Sequence, residues 1–155
     1  LGVSAPSLYF HFASREALVD SLIRDGIEEL AGAMGEAARI PDARAVLHAF
    51  ADAYLRFARH NPQLFSLVSA PAANDERIFP AAENPAGPIV LAAMSRLVRE
   101  EDLIPIAGVV WSMVHGFSTL ILAGRFPPPG DPTEALHRGI DLILDGLAAE
   151  TNDVH

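Results

Sequence analysis

Apolar residues recur along most of the chain at three- and four-residue steps, the spacing that gathers them on one side of an α-helix. Leu18, Leu22, Ile23, Ile27, Leu30 and Met34 form one such stripe, which Ser14 is placed to cap and which ends by Ile40 and Pro41. Asp42 is expected to cap a second helix with Leu47, Phe50, Tyr54 and Phe57 on one face, stopping at His60-Asn61-Pro62. Asn61 as cap and Pro62 as first helical residue then start a short helix through Leu64, Phe65 and Val68. Ser69 to Glu83, with two prolines and several small polar residues, reads as a loop. Asn84-Pro85 repeats the cap-then-proline signal and opens a helix through Ile89, Ala93, Met94, Leu97 and Val98, with Glu100-Glu101-Asp102 closing it. An uncharged helix follows from about Pro105, Arg125 to Pro132 breaks it, and a last helix from Thr133 carries Leu136, Ile140, Ile143, Leu144 and Leu147. Nowhere do apolar and polar residues alternate as in a strand, so the expected fold class is all-α.

The uncharged stretch Leu103 to Gly124 holds no Asp, Glu, Lys or Arg, and it exceeds the roughly 18-residue threshold for a membrane span. Pro105, Ser112, His115, Ser118 and Thr119 dilute it, and no second span accompanies it. It is therefore read as a buried helix, apolar on all sides because it packs on all sides, in a domain centre or a subunit interface. No membrane partner is expected. With 155 residues, half of them apolar, the chain can bury a core as one domain, or as one domain plus a fragment. The absence of cysteine excludes disulfides, thiolate metal sites and cysteine nucleophiles together, and it fits a reducing cytoplasm. Leu1 to Phe12 lacks the basic flank and unbroken apolar segment of a signal peptide, and the expected location is cytoplasmic. The formal net charge of -9 argues against a chain that wraps nucleic acid along its whole length. Arg15 and Arg24 balance Glu16 and Asp20 in residues 1–24, so the head is neutral and the body acidic.

That neutral head begins LGVSAPSLYFHFASREALVDSLI. Gly2 supplies a tight turn, Ser4 caps, and Pro6 falls in the first helical turn, where backbone donors lack intrahelical partners. The helix so started runs to about Phe10, with Leu8 and Phe12 inward and Ala5, Pro6, Ser7, Tyr9, Phe10 and His11 outward. Two readings fit this layout: a recognition helix, with small residues leading and donors for phosphate behind, or an ordinary capped helix at a domain edge.

Gly2-Val3-Ser4, Leu8-Tyr9-Phe10-His11-Phe12 and Ser14-Arg15-Glu16-Ala17-Leu18, held without a gap, resemble the end of the helix-turn-helix of the tetracycline-repressor (TetR) family of transcriptional regulators. Trp111-Ser-Met-Val-His115-Gly116, with FARHNPQLF at Phe57 to Phe65, resembles the regulatory domain named for its Trp-His-Gly motif within that family. The resemblance implies that residues 1–35 are the C-terminal part of the DNA-binding domain with its connecting helix, and residues 36–155 a regulatory domain for ligand binding and dimerisation. Ser4, Ala5, Pro6 and Ser7 match positions that approach the major groove, and Tyr9, His11 and Arg15 match phosphate contacts. Ala5 and Pro6 can offer only apolar contact, as to a thymine methyl, and Tyr9 also suits a packed aromatic. Position 15 is Arg where the family more often has Lys. The two helices that precede this segment in the family do not lie within residues 1–155, so double-stranded operator DNA is expected as a partner only of a chain that carries them.

Residues suited to enzyme chemistry form no constellation. His115 has no partner at metal-ligand spacing, Asp141 and Asp145 read as a solvated helix face rather than a cation site, and His48, His60 and His137 are scattered. Neither a metal, nor a cofactor, nor catalytic residues are expected. Tyr54, Phe57, Phe65, Met94, Trp111 and His115, with Ser118 on the face of Trp111 and His115, could bound a mostly apolar cavity with a few polar handles, the usual character of a small-molecule pocket. The alternative is a plain core in which a backbone carbonyl satisfies His115. On the opposite face, Met113, Gly116, Leu120 and Gly124 are expected to meet a second copy together with Ile140, Ile143, Leu144 and Leu147, as a four-helix interface in a symmetric homodimer. The resulting expectation is a regulator, usually a repressor in this family, released from DNA by a small hydrophobic effector. Its rival is a helical enzyme or ligand-binding domain without DNA binding.

Overall fold

The computed structural model describes residues 12–69, 86–125 and 130–152. Among them lie six helices and no strand: α1 (Arg15–Ala37), α2 (Ala43–His60), α3 (Pro62–Ser69), α4 (Ala86–Met94), α5 (Glu100–Leu122) and α6 (Pro132–Asn152). The expected recognition-helix residues Ser4, Ala5, Pro6, Ser7, Tyr9 and His11 fall outside the described residues, as does the Asn84-Pro85 start signal.

Three helix starts follow from side-chain caps. The Ser14 hydroxyl accepts from the Ala17 backbone N–H at 3.1 Å, the Asp42 carboxylate from Ala45 at 2.7 Å, and the Asp131 carboxylate from Thr133 at 2.8 Å, each satisfying a donor the helix cannot. Asn61 behaves differently from its expected role. Its carbonyl accepts from Phe65 at the start of α3, but its side-chain amide reaches away and donates to Glu29 of α1 at 3.2 Å.

Two boundaries differ from those expected. α4 ends at Met94, so Leu97 and Val98 lie in the following turn. Glu100, Glu101 and Asp102 do not close α4; they form the first turn of α5, where negative charge is stabilised by the positive end of the helix dipole. Arg99 holds them there, pairing with Asp102 at 2.7 Å and Glu101 at 3.3 Å. Pro105 thus falls inside α5, on its exposed side, where water can replace the donor that Glu101 loses.

α2 lies at the centre and packs against all five other helices. Val46, Leu47, Phe50, Ala51 and Ala58 of α2 join Met94 of α4, Ala107 and Val114 of α5, and Leu136 and Ile140 of α6 in one buried cluster. Each large member contributes about 1.5–3 kcal/mol by leaving water. α1 enters this cluster only through its second half, with Gly26, Leu30, Ala31, Met34 and Ala37 buried.

α5 corrects the expectation of a helix packed on every side. Its buried residues are Ala107, Val110, Val114 and Ser118, one stripe only, whereas Val109 and Leu120 on the outer side are 49% and 44% exposed. By length and composition alone α5 could cross a membrane, with 22% of its most apolar window buried; its packing against α2, α4 and α6 seats it in the helical body. The expected interface residues Ile140 and Leu144 also need correction: at 0% and 4% exposure they are filled in by the chain's own core and cannot meet a second copy. Met113, Gly116, Ile143 and Leu147 are half-buried, with Met113 lying over Gly139 of α6.

Gly124, expected at a helix-helix approach, ends α5 instead. Its φ of 63° is the only positive value among the described residues. The Arg125 N–H donates to the Leu120 carbonyl and the Gly124 N–H to Ile121, the paired bonds of a Schellman stop. No atom lies near a would-be Cβ there, so Gly124→Ala adds backbone strain alone. Thermal unfolding followed by far-UV circular dichroism should show a melting temperature lower by about 2–4 °C, the shift for roughly 1 kcal/mol in a chain of this size. An unchanged melting temperature would mean the turn adopts another conformation in solution.

Candidate ligand site

Trp111 and His115 are one helical turn apart on α5 and so share a face. Tyr54 of α2 and Phe65 of α3 close on them. The His115 imidazole lies between two near-parallel rings, Trp111 at 5.1 Å and 19° and Phe65 at 5.4 Å and 27°. Tyr54 meets Phe65 edge-on at 5.8 Å and 83°. Three separate helices thus deliver four rings to one place.

The polar atoms there are ordered by one bond. The Tyr54 hydroxyl lies 2.9 Å from His115 Nδ1. Burial pushes the Tyr54 pKa far above its ordinary value, so the phenol keeps its proton, and because an imidazole nitrogen is a better acceptor than a phenol oxygen the bond is assigned as Tyr54 O–H to Nδ1. Burial likewise lowers the His115 pKa, favouring the neutral ring, which accepts at Nδ1 and carries its own proton on Nε2. The plain-core alternative gives His115 a backbone carbonyl; its partner is a phenol. Nε2 has no hydrogen-bond partner among the described residues. Ser118, the next residue but two along α5, is fully buried, and its hydroxyl likewise finds none. Phe57 and Met94 are buried in the adjoining core. Of the seven expected ligand residues, the structure therefore joins Tyr54, Phe65, Trp111 and His115 ring to ring, sets Ser118 one turn on, and leaves Phe57 and Met94 as core.

A second polar cluster departs from the expectation drawn from the sequence. Arg44 of α2 donates to Asp141 at 3.0 Å and to Asp145 at 2.8 Å on α6, His48 bonds Asp141 at 3.0 Å, and His137 bonds Asp52 at 2.8 Å. The His48 and His137 rings stack at 4.4 Å and 4°. Partial burial opposes ionisation of Asp141, but Arg44 and His48 outweigh it and hold its carboxyl below the usual range. Asp145 is exposed, as expected of a solvated face, but both carboxylates pair with Arg44, and His48 and His137 are stacked on one another rather than scattered. Residues 44, 48 and 52 on one helix and 137, 141 and 145 on the other repeat at four-residue steps with complementary chemistry, a signal present in the sequence. Among the described residues no group of three or more side chains is arranged to hold a metal. A half-open cavity of about 290 Å³ lies elsewhere, between Leu97, Val98 and Arg99 and the end of α6 at Leu147. Its arginines are already engaged, Arg96 with the Pro41 carbonyl and Arg99 with Glu101 and Asp102.

Because burial lowers the His115 pKa, the unfolded chain takes up a proton more readily than the folded one as pH falls through about 6.5. The His115 contribution to stability is therefore present above that pH and lost below it. In His115→Gln this loss disappears, so the stability difference between wild type and variant should shrink from about pH 7.5 to about pH 5.5 in denaturant unfolding. A difference independent of pH would show that the ring is not held neutral.

A comparison with curated proteins returned no match. Among solved structures, a protein with unknown function from Rhodococcus sp. RHA1 is similar at 29% identity with a TM-score of 0.69, the match covering 95% of this chain and 80% of that one. A family profile described as "Tetracyclin repressor-like, C-terminal domain" matches residues 47–143, a span that runs from the core of α2 through Trp111 and His115 into α6. Since that match covers more than half of the chain, the protein belongs to the tetracycline-repressor-like family.

Proposed function

We propose that the protein is a ligand-responsive transcriptional regulator, a repressor whose homodimer leaves double-stranded operator DNA when a small hydrophobic effector enters between Tyr54, Phe65, Trp111 and His115. The observation that carries this reading is the aromatic stack itself, which lies within the matched family domain and has a neutral polar handle. Residues 1–35 would complete the reading head and the rest form the regulatory domain. Ser4, Ala5, Pro6 and Ser7 would approach base edges, with Tyr9, His11 and Arg15 on phosphates. Arg15, the first residue of α1, is exposed as that role requires.

The link between site and head runs through α3. Phe65 is in the stack, while its neighbour Leu64 sits on Gly26 of α1 so closely that a Cβ on Gly26 would lie 2.8 Å from it. A ligand that parts Phe65 from His115 shifts α3 and with it the helix leading to the head. Such a ligand need only favour one of two arrangements, with a coupling of about 1–3 kcal/mol.

The test of DNA binding uses a chain extended at its N-terminus to carry a complete helix-turn-helix. Selection from random duplexes should enrich a two-fold symmetric site. Arg15→Ala should weaken binding to all duplexes alike and reduce the salt slope by about 1 for each phosphate it no longer neutralises. A changed sequence preference with the same salt slope would remove Arg15 from the phosphate contacts.

For the homodimer, the supporting feature is an outward apolar surface on the last two helices. Val109, Met113, Gly116 and Leu120 form a stripe at four- and three-residue steps along α5, and Leu142, 56% exposed, stands with the exposed Gly146 and Ala149 on α6. A Cβ on Gly116 would meet nothing in the chain, leaving room for close approach by a second helix. Light scattering at micromolar concentration should give twice the chain mass, and Leu120→Glu, which places a charge on that surface, should give the monomer. A monomeric wild type would end the dimer reading.

A further inference from the structure

We propose that the effector is uncharged, flat and mostly apolar, and that it carries a hydrogen-bond acceptor such as a carbonyl oxygen, met by the His115 Nε2–H and the Ser118 hydroxyl. This rests on the reading of the aromatic stack as the effector site. Shape comes first. The near-parallel rings of Trp111, His115 and Phe65 are spaced as stacked aromatics, so an occupant that replaces one of these contacts without losing its energy must itself be planar.

Polarity follows from what the site leaves unused. Tyr54 donates to Nδ1 and so commits the imidazole to carrying its proton on Nε2, which makes His115 a donor toward any newcomer. Ser118 is 0% exposed and its hydroxyl has no partner among the described residues. An unpaired buried hydroxyl is unfavourable, and one acceptor atom from a ligand would remove that penalty. The two groups lie three residues apart on α5, hence on adjoining positions of one helix face. The Nε2–H can only donate and the Ser118 hydroxyl can donate as well as accept, so an acceptor is the one group that both can meet.

Charge is excluded by the same inventory. Tyr54, Phe65, Trp111, His115 and Ser118 carry no formal charge in the states described, and a carboxylate or ammonium entering among them would be desolvated without an ionic partner. The arginines near the turn before α5 belong to another part of the surface and are already paired.

Three probes sharing one ring system test this: 2-acetylnaphthalene, 2-ethylnaphthalene and 2-naphthoate. The readout is the indole N–H resonance of Trp111, the only tryptophan, in titrations of the whole chain. The ketone is expected to bind about tenfold more tightly than the hydrocarbon and the carboxylate most weakly, since one well-placed hydrogen bond corresponds to roughly that factor. Ser118→Ala should remove most of the ketone's advantage while leaving the hydrocarbon's affinity unchanged. It should also melt no lower than wild type, because it deletes an unpartnered hydroxyl, whereas a merely structural serine would lower the melting temperature. His115→Phe, which keeps a stacking ring and loses the N–H, should likewise level ketone and hydrocarbon. Equal affinities for ketone and hydrocarbon in the wild type, or tightest binding by the carboxylate, would overturn the proposal while leaving the effector site in place. A Trp111 resonance unmoved by all three probes would overturn the effector site itself.

Discussion

Helix α2 must satisfy neighbours on every side, and the other helices take their positions from how it does so. More than half of its residues are buried, and all five remaining helices pack on it. Most of that surface is apolar and would tolerate small slides of one helix along another, because burial is not directional. The side facing α6 is different. Arg44, His48 and Asp52 meet Asp145, Asp141 and His137 in antiparallel order, each bond requiring a partner at a fixed height. A shift of α6 by one turn would break these pairs, and because the groups keep partial contact with water, the loss amounts to a modest preference for one register over its neighbours. Polar pairing therefore favours one register, and apolar burial supplies the bulk of the stability.

With α2 and α6 locked, the location of Tyr54 follows. It lies two residues beyond Asp52, turned from the polar side toward α3 and α5, and its hydroxyl fixes the proton of His115. The tautomer of an imidazole on α5 is thus a consequence of where α2 is pinned. This is why a single neutral histidine in an aromatic setting can act as a directional donor here rather than as one more ring in a core.

The helices were legible because their signals are local. Ser14 and Asp42 mark starts within a few residues of the bonds they make, and apolar stripes such as Leu30-Met34 and Leu136-Ile140-Leu144 carry their own period. Trp111 and His115 were legible as a pair for the same reason, being one turn apart. What was not legible depended on distance along the chain. The same acidic run Glu100-Glu101-Asp102 can end a helix or begin one, and only the position of Arg99 and the packing of α5 decide it. Ile140 and Leu144 share an apolar helix with Leu142, yet which of them faces inward depends on α2, nearly a hundred residues away. Gly124 has the look of a packing glycine because its sign of φ is invisible in the sequence.

The same contrast between pinned and unpinned elements makes α3 the part of the body through which the proposed response would pass. With eight residues it is too short to be stable on propensity alone, so its position is set by what it touches. On one side that is the ring stack, through Phe65; on the other it is α1, through Leu64 on Gly26 and Asn61 on Glu29. α6, by contrast, is held by polar pairs at three successive turns. In the regulator proposed above, a molecule inserted beside His115 would move α3 more readily than α6. Displacement would then be directed toward α1, whose first half buries little against the body and which Leu64 meets at Gly26. Under that proposal the glycine at position 26 would be the pivot: it is the place where the short helix reaches the backbone of the long one without a second side chain between them.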